Sequence, residues 1–472
     1  MSNSKIVPME KDFAKWYTSV IENAKLVSYS SIKGTMIYRP NGWAIWSNIQ
    51  KELDRRFHEI GVLNVQLPLF IKYSEFNKEK EHVEGFSPEV FMVTKKGEEE
   101  LTEPYVVRPT SEVLFCSYFK SVVNSYRDLP IKVNQWCSVF RSEKNTKPFL
   151  RTSEFFWNEL HTIHATKKEA EEHTVLCINL YKDFVENFLC IPTLMGEKTE
   201  GERFAGAEHT YTIETVMKDG QALQAGTSHY LGQNFSKTYD IKFTNKENKP
   251  EFVYQTSVGM STRIIGAIIM SHADNDGLVL PFGVAPTQIA LLPISFDKNP
   301  EVLLKTKELS KTLSNKYRSF VDESNNSFGF KISEQEINGT PICIVIGPKD
   351  LASNNATIIV RNSLEKINVS LDEVEIRISQ IIEKYKSDLF NNAKKRLNDS
   401  IVQVNSYDEL LKAVNDKKIA LAAWGGSVED EKKLKQQSGG ITPRCIKTTI
   451  SNKKCFYTGK PAKSLVYFGR AY

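Results

Sequence analysis

The sequence predicts a protein that combines helices and strands in two or three domains. Its 472 residues are enough to build several hydrophobic cores. From Phe155 to His161 the aromatic and polar side chains fall on alternate positions, which is the period of a β-strand. After Pro281, short apolar segments alternate with helical stretches, a pattern typical of a small α/β domain with a mixed sheet.

Composition and charge are those of an ordinary globular protein. Hydrophobic residues make up 40% and charged residues 25% of the chain, and the net charge is +5. That charge is too small to indicate nucleic-acid binding by itself, although it allows a local basic face. Seven cysteines without paired spacing indicate reduced thiols, and the sequence shows neither a targeting segment nor a membrane-spanning run. We therefore expect a cytoplasmic protein that does not enter a membrane.

Helical periodicity predicts the first elements of the chain. Apolar residues at three- and four-residue spacing predict a helix over 43–60, and a shorter helix is predicted over 12–27. A strand over 62–71, interrupted by Pro68, and a charged loop over 75–90 follow.

Capping residues mark two further helices. One is predicted to begin near Glu112, with Thr110 or Ser111 as its cap, and a long amphipathic helix is predicted after Thr166. The remaining predicted elements are strands over 201–217 and 220–232, a helix, turn and strand over 262–281, helices over 299–316 and 372–398, and short strands at 289–294, 342–347, 357–362 and 366–371.

One predicted strand has the composition of a ligand site rather than of a core. Phe155, Trp157, Glu159 and His161 share one of its faces, where a core strand would carry aliphatic residues. Two aromatic rings, a carboxylate and an imidazole on one face indicate the floor of a small-molecule pocket.

Three arginines accompany this strand. Arg141 and Arg151 flank a short polar turn before it, and Arg263 begins an apolar helix after a run of small residues. Arginine grips phosphate oxygens in bidentate fashion, and a helix N-terminus also attracts anions. The three suit a nucleotide triphosphate, although the chain has neither a phosphate-loop motif nor a G-x-G-x-x-G motif after a strand.

Six segments, in a fixed order, resemble prolyl-tRNA synthetases, most closely the eukaryote-like or archaeal-like subclass. They are RPTSE (108–112), NQWCSVFRSE (134–143), PFLRTSEFFW (148–157), FAGAEHTYTIE (204–214), QAGTSHYLGQNFSK (224–237) and SVGMSTRIIG (257–266). The resemblance implies an α+β fold in which residues 1–285 form a class II aminoacyl-tRNA synthetase antiparallel catalytic sheet flanked by helices. It also implies an anticodon-binding α/β domain over 286–400 and a small C-terminal α+β module over 401–472.

The same resemblance assigns the class II motifs. The helix over 43–60 and Pro68 form motif 1, the interface of a homodimer, although Pro68 equally fits a plain strand edge. The segment from Arg141 to Glu159 is motif 2, and Arg263 belongs to motif 3.

The implied reaction is the two-step charging of tRNA(Pro). The carboxylate of L-proline attacks the α-phosphorus of ATP, which is bound with Mg²⁺, and pyrophosphate leaves. The terminal ribose hydroxyl of tRNA(Pro) then attacks the prolyl adenylate. Positioning and charge neutralisation supply most of the catalysis in such a reaction.

The resemblance gives nucleotide roles to nine residues. Arg141 and Arg263 are the expected catalytic arginines. Arg141 holds the α-phosphate and the substrate carboxylate, whereas Arg263 and Phe155 sandwich the adenine, whose amino group donates to Glu143. The other expected contacts are Arg151 and Thr152 with the outer phosphates or the nucleotide rim, Gln224 and Thr227 with ribose, phosphate or a magnesium ion, and Ser261, where the family often has threonine, with the nucleotide.

A proline site needs an apolar slot and acceptors for a secondary ammonium group. The resemblance assigns the slot to Trp157 and Phe204, and the ammonium group to Thr110 and Glu112. The remaining expected members are Arg141 at the carboxylate, and Glu159, His161 and His229 around the pocket. Glu159 and His161 equally fit a supporting position behind the residues that touch proline.

Two features of the layout bear on fidelity and on the chain end. The interval from Arg151 to Gln224 is filled by predicted helix and strands, so we expect no inserted editing domain. Lost methylenes are worth only roughly 1–3 kcal/mol in an apolar pocket, so alanine is not strongly excluded. The chain ends at Tyr472, which matches a family feature, a terminal tyrosine whose carboxylate approaches the active site.

The middle domain is expected to read single-stranded anticodon bases. Glu336 and Lys349 are the candidates for base contacts, and each equally fits a solvated surface charge. The lysine-rich stretch 383–396 either touches phosphates or is a solvent-exposed helix face.

The C-terminal module departs from the family, whose members often bind zinc there through four cysteines. Trp424, Glu429 and Tyr457 stand where cysteines are expected, and Cys455 alone cannot make a tetrahedral structural site. We therefore expect no zinc, and a module held by apolar packing that includes Trp424 and Phe456.

Two alternatives stay open from sequence. A threonyl or histidyl class II synthetase would share the fold, but the combination of RPTSE and GTSH argues against it. A non-catalytic RNA-binding paralogue should have lost an arginine or the pocket face, whereas Arg141, Arg151 and Arg263 are all present.

Overall fold

The computed structural model describes residues 6–77 and 90–472. These residues form an 11-stranded sheet, a 5-stranded sheet and three small sheets of two or three strands. Strands from the N-terminal and C-terminal regions share the large sheet, and the 5-stranded sheet belongs to the region between them. Within the described residues, no helix combines the length and the apolar character that a bilayer crossing requires.

The N-terminal region carries two helices ahead of the large sheet. Its elements are α1 (Phe13–Asn23), β1 (Val27–Tyr29), β2 (Met36–Tyr38), α2 (Pro40–Glu59), β3 (Leu63–Asn64), β4 (Phe70–Lys72), α3 (Tyr73–Asn77), β5 (Met92–Lys96), β6 (Glu99–Val107) and α4 (Glu112–Val122). Asp12 caps α1 by accepting from the Lys15 amide, and Pro40 begins α2, where an amide hydrogen is not needed. Both predicted helices are confirmed, and the strand predicted over 62–71 forms as β3 and β4.

The loop predicted over 75–90 is wrong at its start, whereas Ser111 is confirmed as the cap residue of α4 by its position. Residues 75–77 of the predicted loop belong to α3, and its residues 78–89 lie outside the described part of the chain. Ser111 stands at the N-cap of α4, but its hydroxyl donates to Glu159 instead of accepting from the helix. The hydrogen bond from the Ser111 hydroxyl to the buried Glu159 carboxylate is charge-assisted. It is therefore stronger than the bond that the hydroxyl would accept from a helix amide.

The centre of the large sheet is antiparallel, as the resemblance implies. Its elements are β7 (Ile131–Phe140), β8 (Glu154–His164), α5 (Lys167–Asp183), β9 (Leu194–Glu197), β10 (His209–Val216), β11 (Ala222–Gly232), α6 (Asn234–Thr238), β12 (Lys242–Thr244), β13 (Pro250–Phe252), β14 (Tyr254–Ser261) and α7 (Arg263–His272). The strand order is β9-β10-β11-β14-β8-β7, with β3 parallel to β7 at the edge. Thr166 caps α5 in a reciprocal box with Glu169, as predicted.

Helix α5 covers one face of this sheet and leaves the other free for a site. Tyr181 of α5 donates to Asn158 Oδ1 over 2.8 Å, and Ser228 donates to the Thr174 carbonyl. Asn158 lies between Trp157 and Glu159 in β8, so these two neighbours point to the opposite face.

The strand predicted after α7 is wrong. Residues 278–281 have no strand partner; instead Leu278 donates its amide to the Ile337 carbonyl in the next region. Leu278 and Leu280 are each 1% exposed, so their apolar character reflects burial at this junction and not a sheet.

The middle region is the predicted α/β domain with a mixed sheet. It comprises β15 (Ile289–Pro293), α8 (Pro300–Leu313), β16 (Ser319–Val321), α9 (Phe328–Asn338), β17 (Ile342–Ile346), α10 (Pro348–Ala352), β18 (Asn355–Val360), β19 (Lys366–Ser370) and α11 (Val374–Ser400). Strand β15 is parallel to β16 and β17, whereas β18 is antiparallel to β17 and β19. Arg361 binds Asp274 through both Nη atoms, at 2.8 and 2.6 Å, and so ties this domain to the end of α7.

The C-terminal strands extend the large sheet. The elements are β20 (Ile401–Gln403), α12 (Tyr407–Asn415), β21 (Ile419–Trp424), α13 (Val428–Gln437), β22 (Thr442–Thr449) and β23 (Ser464–Gly469). Their order is β20-β21-β23-β22, and β22 pairs with β9 at Ile446 and Glu197. The C-terminal module is therefore continuous with the central sheet.

Apolar packing holds this module together, as predicted. The Trp424 ring lies 5.8 Å from Phe456 and 5.4 Å from Phe468, and Cys455 is buried in the same cluster. Tyr457 also stacks on Trp424, at 6.1 Å, and Glu429 is exposed in the first turn of α13. These side chains fill the cluster with carbon and place one thiol, that of Cys455, within it.

Candidate active site

A cavity of about 310 Å³ opens on the free face of the central sheet. Its walls come from the start of α4, the end of β7, strands β8, β10, β11 and β14, and the first residue of α7. Thirteen residues singled out in the sequence line it: Thr110, Glu112, Arg141, Phe155, Trp157, Glu159, His161, Phe204, Gln224, Thr227, His229, Ser261 and Arg263. Residues that lie far apart in the sequence thus converge on one cavity.

The floor of the cavity is the predicted face of β8. Phe155, Trp157, Glu159 and His161 all line the cavity, and the Phe155 and Trp157 rings meet edge to face at 5.6 Å. Across the strand pair, Gly259 lies opposite Glu159, and a Cβ there would stand 3.6 Å from the Trp157 ring. A small residue at this position leaves the tryptophan face accessible.

Arg141 lies over both floor rings. Its guanidinium carbon is 5.2 Å from the Phe155 ring centre and 5.1 Å from that of Trp157, and its Nε donates to the Pro109 carbonyl over 2.9 Å. Burial lowers the pKa of Arg141 to about 10, with Glu112 and Glu159 opposing the shift. The side chain therefore stays charged at neutral pH inside a mostly buried site.

Arg263 is the second cation of the cavity. It begins α7, and its Nε donates to the Leu150 carbonyl over 3.0 Å. Burial lowers the pKa of Arg263, and the charge of Arg151 lowers it further. The charges of Arg141 and Arg263 repel each other within the cavity. Such a pair is suited to an anionic ligand, which relieves that repulsion.

Two carboxylates lie near Arg141. Glu159 accepts from the Ser111 amide at 3.0 Å, from the Ser111 hydroxyl and from Gln135 Nε2 at 2.8 Å. Glu112 accepts from the Thr110 hydroxyl, and burial together with the charge of Glu159 raises the pKa of Glu112 to about 7. Glu159 accepts hydrogen bonds from three donor groups of Ser111 and Gln135. Within the described residues Glu112 accepts from one side chain, that of Thr110, and is the better placed of the two to bind a cation.

Both histidines are neutral and packed against aromatic rings. His161 stacks on Phe115 with ring centres 3.9 Å apart, and burial lowers its pKa to about 3. His229 Nδ1 lies 3.0 Å from the Thr210 hydroxyl, its ring is 4.8 Å from Phe204, and burial followed by the charge of Lys198 lowers its pKa to about 3. Neither ring acts as a charged group; both shape the wall.

Three expected nucleotide residues do not line the cavity. Glu143 and Arg151 face each other at 3.8 Å with side chains 31% and 48% exposed. The Thr152 hydroxyl donates to the Glu154 carbonyl over 2.6 Å and so is committed to the turn. Only two of the three arginines therefore converge as the sequence predicts.

Each of the three regions of the chain matches a known protein family. Residues 91–272 match the tRNA synthetase class II core domain (G, H, P, S and T), residues 288–381 the anticodon binding domain, and residues 407–472 the prolyl-tRNA synthetase C-terminal domain. Proteins named proline–tRNA ligase are 50% identical in Ureaplasma urealyticum serovar 10, over 99% of both chains, and 51% identical in Malacoplasma penetrans, over 99% of this chain and all of the relative. A further proline–tRNA ligase, from Clostridium botulinum, is 47% identical over 99% of this chain and 98% of its own.

The chain belongs to the prolyl-tRNA synthetase family. The segment between motifs 2 and 3 is the one in which no editing domain is expected. Residues 152–223 are all described, and they form β8, α5, β9 and β10 with their connections. The segment has no room for an inserted domain.

Sequence reasoning missed several residues of the prolyl-tRNA synthetase cavity. Lys198, Glu202 and Thr210 line one wall of the cavity, and Ser257 and Gly259 line it from β14. The stretch 201–217 was predicted as a strand, but the strand begins only at His209, and Lys198 and Glu202 lie on the connection before it. A cluster of one lysine and several glutamates gives no sequence signal that separates a cavity wall from a solvated loop.

Oxygen donors for a magnesium ion are present beside this cavity. Mg²⁺ bound with a nucleotide takes most of its ligands from phosphates and water, and adds one or two protein oxygens. Gln224 and Glu202 both line the cavity and supply such oxygens. Among the described residues, no group of three or more His, Cys, Asp and Glu side chains forms a metal site of its own.

Proposed function

We propose that this chain activates L-proline with ATP to form prolyl adenylate and transfers the prolyl group to the 3′ end of tRNA(Pro). The observation that carries this proposal is the single cavity that holds Arg141 and Arg263 beside Thr110, Glu112 and Glu159. Cations for a phosphate and a carboxylate acceptor for an ammonium group are the two requirements of amino-acid activation.

In the first step an oxygen of the proline carboxylate forms a bond with the α-phosphorus, and the bond to pyrophosphate breaks. Arg141 approaches both negative groups, because it lies over the floor rings and near Glu112. Neutralising charge where it accumulates is the largest contribution that such a site makes. Arg263 is assigned to the adenine and its phosphates from the adjoining helix start.

The proline ring fits the apolar part of the cavity. Trp157, Phe204 and the neutral rings of His161 and His229 offer flat carbon surfaces. The secondary ammonium group is assigned to Glu112 and to Thr110, which already donates to that glutamate. A cation placed there returns Glu112 to its ionised form, because opposite charge lowers a carboxyl pKa.

The remaining nucleotide contacts are assigned to Gln224, Thr227 and Ser261 on the cavity wall, with Gln224 also assigned to Mg²⁺. Glu143, Arg151 and Thr152 are assigned to the outer edge of the nucleotide. For Glu143 and Arg151 the support is electrostatic, because the charges of both influence the pKa of Arg263, although burial is the main cause of its shift.

We assign the motif 1 surface to a homodimer. Leu63, Leu69 and Phe70 are 64%, 43% and 44% exposed on the segment around Pro68. Phe91 and Met92 are also exposed, at 42% each. These exposed apolar side chains lie on or beside the edge strands β3 of the large sheet and β4 and β5 of a three-stranded sheet, and such surface fits a second copy of the chain. Light scattering of Phe70→Glu against wild type tests this: a monomeric variant supports the interface, and an unchanged dimer excludes it.

The tRNA is assigned to the middle domain for its anticodon. Lys349 is exposed in α10, as a base contact requires, whereas Glu336 is half-buried and its backbone carbonyl accepts from Arg361 at the junction with the catalytic region. On this geometry Lys349 is the stronger candidate of the two. The reaction uses ATP and tRNA, so we place the enzyme in the cytoplasm.

Acylation of a tRNA(Pro) transcript with labelled proline tests the whole proposal. Wild type is expected to form prolyl-tRNA that depends on ATP and Mg²⁺, and Arg141→Ala to form almost none. A folded wild-type chain that binds ATP but acylates no tRNA would favour the RNA-binding paralogue. Charging of a threonine or histidine tRNA instead would favour another class II synthetase.

A further inference from the structure

A buried ion cluster joins the C-terminal module to the cavity wall. Lys198 donates to Glu214 Oε1 over 2.8 Å, and Arg444 donates to Glu214 Oε2 over 3.0 Å through Nη2 and over 3.2 Å through Nε. The side chains of Lys198, Glu214 and Arg444 are 2%, 0% and 7% exposed. Such contacts are not exchanged with water, so each partner depends on the others.

The cluster adjoins the cavity. Lys198 and Glu202 both line the cavity, and Glu202 lies 3.9 Å from the Arg444 guanidinium. Arg263 is also within electrostatic reach of the cluster. Burial is the main cause of its lowered pKa, and Glu214 and Arg444 push that pKa in opposite directions.

The charges of this wall balance only when Arg444 is present. Lys198 and Arg444 are two cations, and Glu202 and Glu214 are two carboxylates. Burial opposes ionisation of Glu214, but Arg444 and Lys198 outweigh it and lower the pKa of that carboxyl. Of these four groups, Lys198 would be the one cation left without Arg444, so the wall would attract a polyphosphate less.

We propose that Arg444, although it belongs to the C-terminal module, is a positioning residue for ATP that keeps Lys198 and the adjoining cavity wall receptive to an anion. Docking of the C-terminal module is thereby coupled to nucleotide affinity. The inference rests on the function proposed for this cavity.

The direct test compares Arg444→Gln with Lys447→Gln in proline-dependent pyrophosphate exchange. Lys447 lies on the same strand but is exposed, so its replacement removes the same charge from the module without touching the cluster. We expect Arg444→Gln to raise the KM for ATP about fivefold to tenfold, the size expected for one unit charge acting through several ångströms of protein, and to leave the KM for proline within about twofold. Lys447→Gln should match wild type.

Two further variants separate an electrostatic role from a merely structural one. Arg444→Lys keeps the charge and should restore the KM for ATP to within about threefold of wild type. Glu214→Gln also breaks the cluster but leaves two cations at the wall, so it should lower the KM for ATP or leave it unchanged. If both Arg444→Gln and Glu214→Gln raise the KM for ATP and for proline together, the inference is overturned.

Calorimetric titration with ATP alone keeps the inference separate from the proposed reaction. A wild-type chain without exchange activity would refute the proposed function, while weaker ATP binding by Arg444→Gln would still support the inference. Should Arg444→Gln fail to fold, Glu214→Gln and Arg444→Lys decide by the same titration. ATP binding no weaker than wild type in Glu214→Gln and within about threefold of wild type in Arg444→Lys supports the inference, and weaker binding by Glu214→Gln overturns it.

Discussion

The cavity and the middle domain both carry charged residues marked by the sequence, but they hold them differently. In the cavity, Glu112 and Glu159 are buried, Arg141 is half-buried, and the three interact with one another. In the middle domain, Lys349 is exposed and Glu336 lies at a domain junction. Burying a charge is unfavourable unless a partner or a ligand compensates it, so the buried set is preorganised for a small substrate, whereas the exposed set suits a flexible RNA.

The largest expected effect compares two arginines of the same motif. Arg141 lines the cavity, whereas Arg151 is 48% exposed and faces Glu143. We expect Arg141→Ala to reduce proline-dependent pyrophosphate exchange about 10³-fold, as loss of a transition-state cation does, and Arg151→Ala to reduce it less than about tenfold. Unfolding of both variants should be followed by calorimetry. Equal losses in two well-folded variants would contradict the difference that exposure gives between Arg141 and Arg151.

The second prediction concerns the acceptor for the ammonium group. Replacing Glu112 by Gln should raise the KM for proline about 10- to 100-fold, because a charge-assisted hydrogen bond is lost. Exposed Glu301, in the first turn of α8, supplies the matched control, and Glu301→Gln should behave as wild type.

The pH profile sharpens the same point. Burial and Glu159 raise the pKa of Glu112 to about 7, so the free enzyme loses the carboxylate as the pH falls through about 7. The value of kcat/KM for proline should fall with it in wild type, and that limb should vanish in Glu112→Gln. A limb that persists unchanged in the variant would transfer the titration to another group.

The middle domain should show smaller effects that are confined to the second step. We expect Lys349→Ala to lower kcat/KM for tRNA(Pro) about five- to tenfold and to leave pyrophosphate exchange unchanged, because a single base or phosphate contact is lost. Glu336→Gln should have less effect than Lys349→Ala on the same acylation assay. A larger effect of Glu336→Gln would reverse the ranking that exposure gives.

The smallest expected effect is on stability at the C-terminal module. Glu431 accepts from the Thr199 hydroxyl at 3.0 Å, and burial, with a contribution from Glu202, raises its pKa to about 7. A carboxyl with a raised native pKa stabilises the fold fully below its unfolded value, about 4.3, and loses that contribution as the pH rises to about 7. At pH 8, Glu431→Gln should therefore melt a few degrees higher than wild type. The difference in melting temperature between variant and wild type should be larger at pH 8 than at pH 5. A difference that is smaller at pH 8 would contradict this.

Local signals predicted the face of β8 for a physical reason, whereas the resemblance to prolyl-tRNA synthetases implied the antiparallel catalytic sheet and most of the other cavity residues. Alternation in β8 and the caps and small residues around it are local signals, so Phe155, Trp157, Glu159 and His161 were placed on one face before any contact was known. Thirteen of the marked residues then met in one cavity because the strands that carry them pair in one sheet.

The errors come from contacts between distant segments. The Ser111 hydroxyl does not accept from the amides of α4, because it donates to Glu159 on a distant strand. Residues 278–281 are apolar because a second domain covers them. Arg444 reaches Glu214 only because β22 extends the sheet at β9. No periodicity or spacing in the sequence records such pairings.

Proline-dependent exchange of labelled pyrophosphate into ATP, measured with wild type and each amino acid in turn, tests the central claim most directly. We predict strong exchange with proline and weaker exchange with alanine, by roughly 10- to 200-fold, because lost methylenes discriminate only that much. Exchange that is strongest with threonine or histidine, or no exchange from a folded chain that binds ATP, would contradict the account.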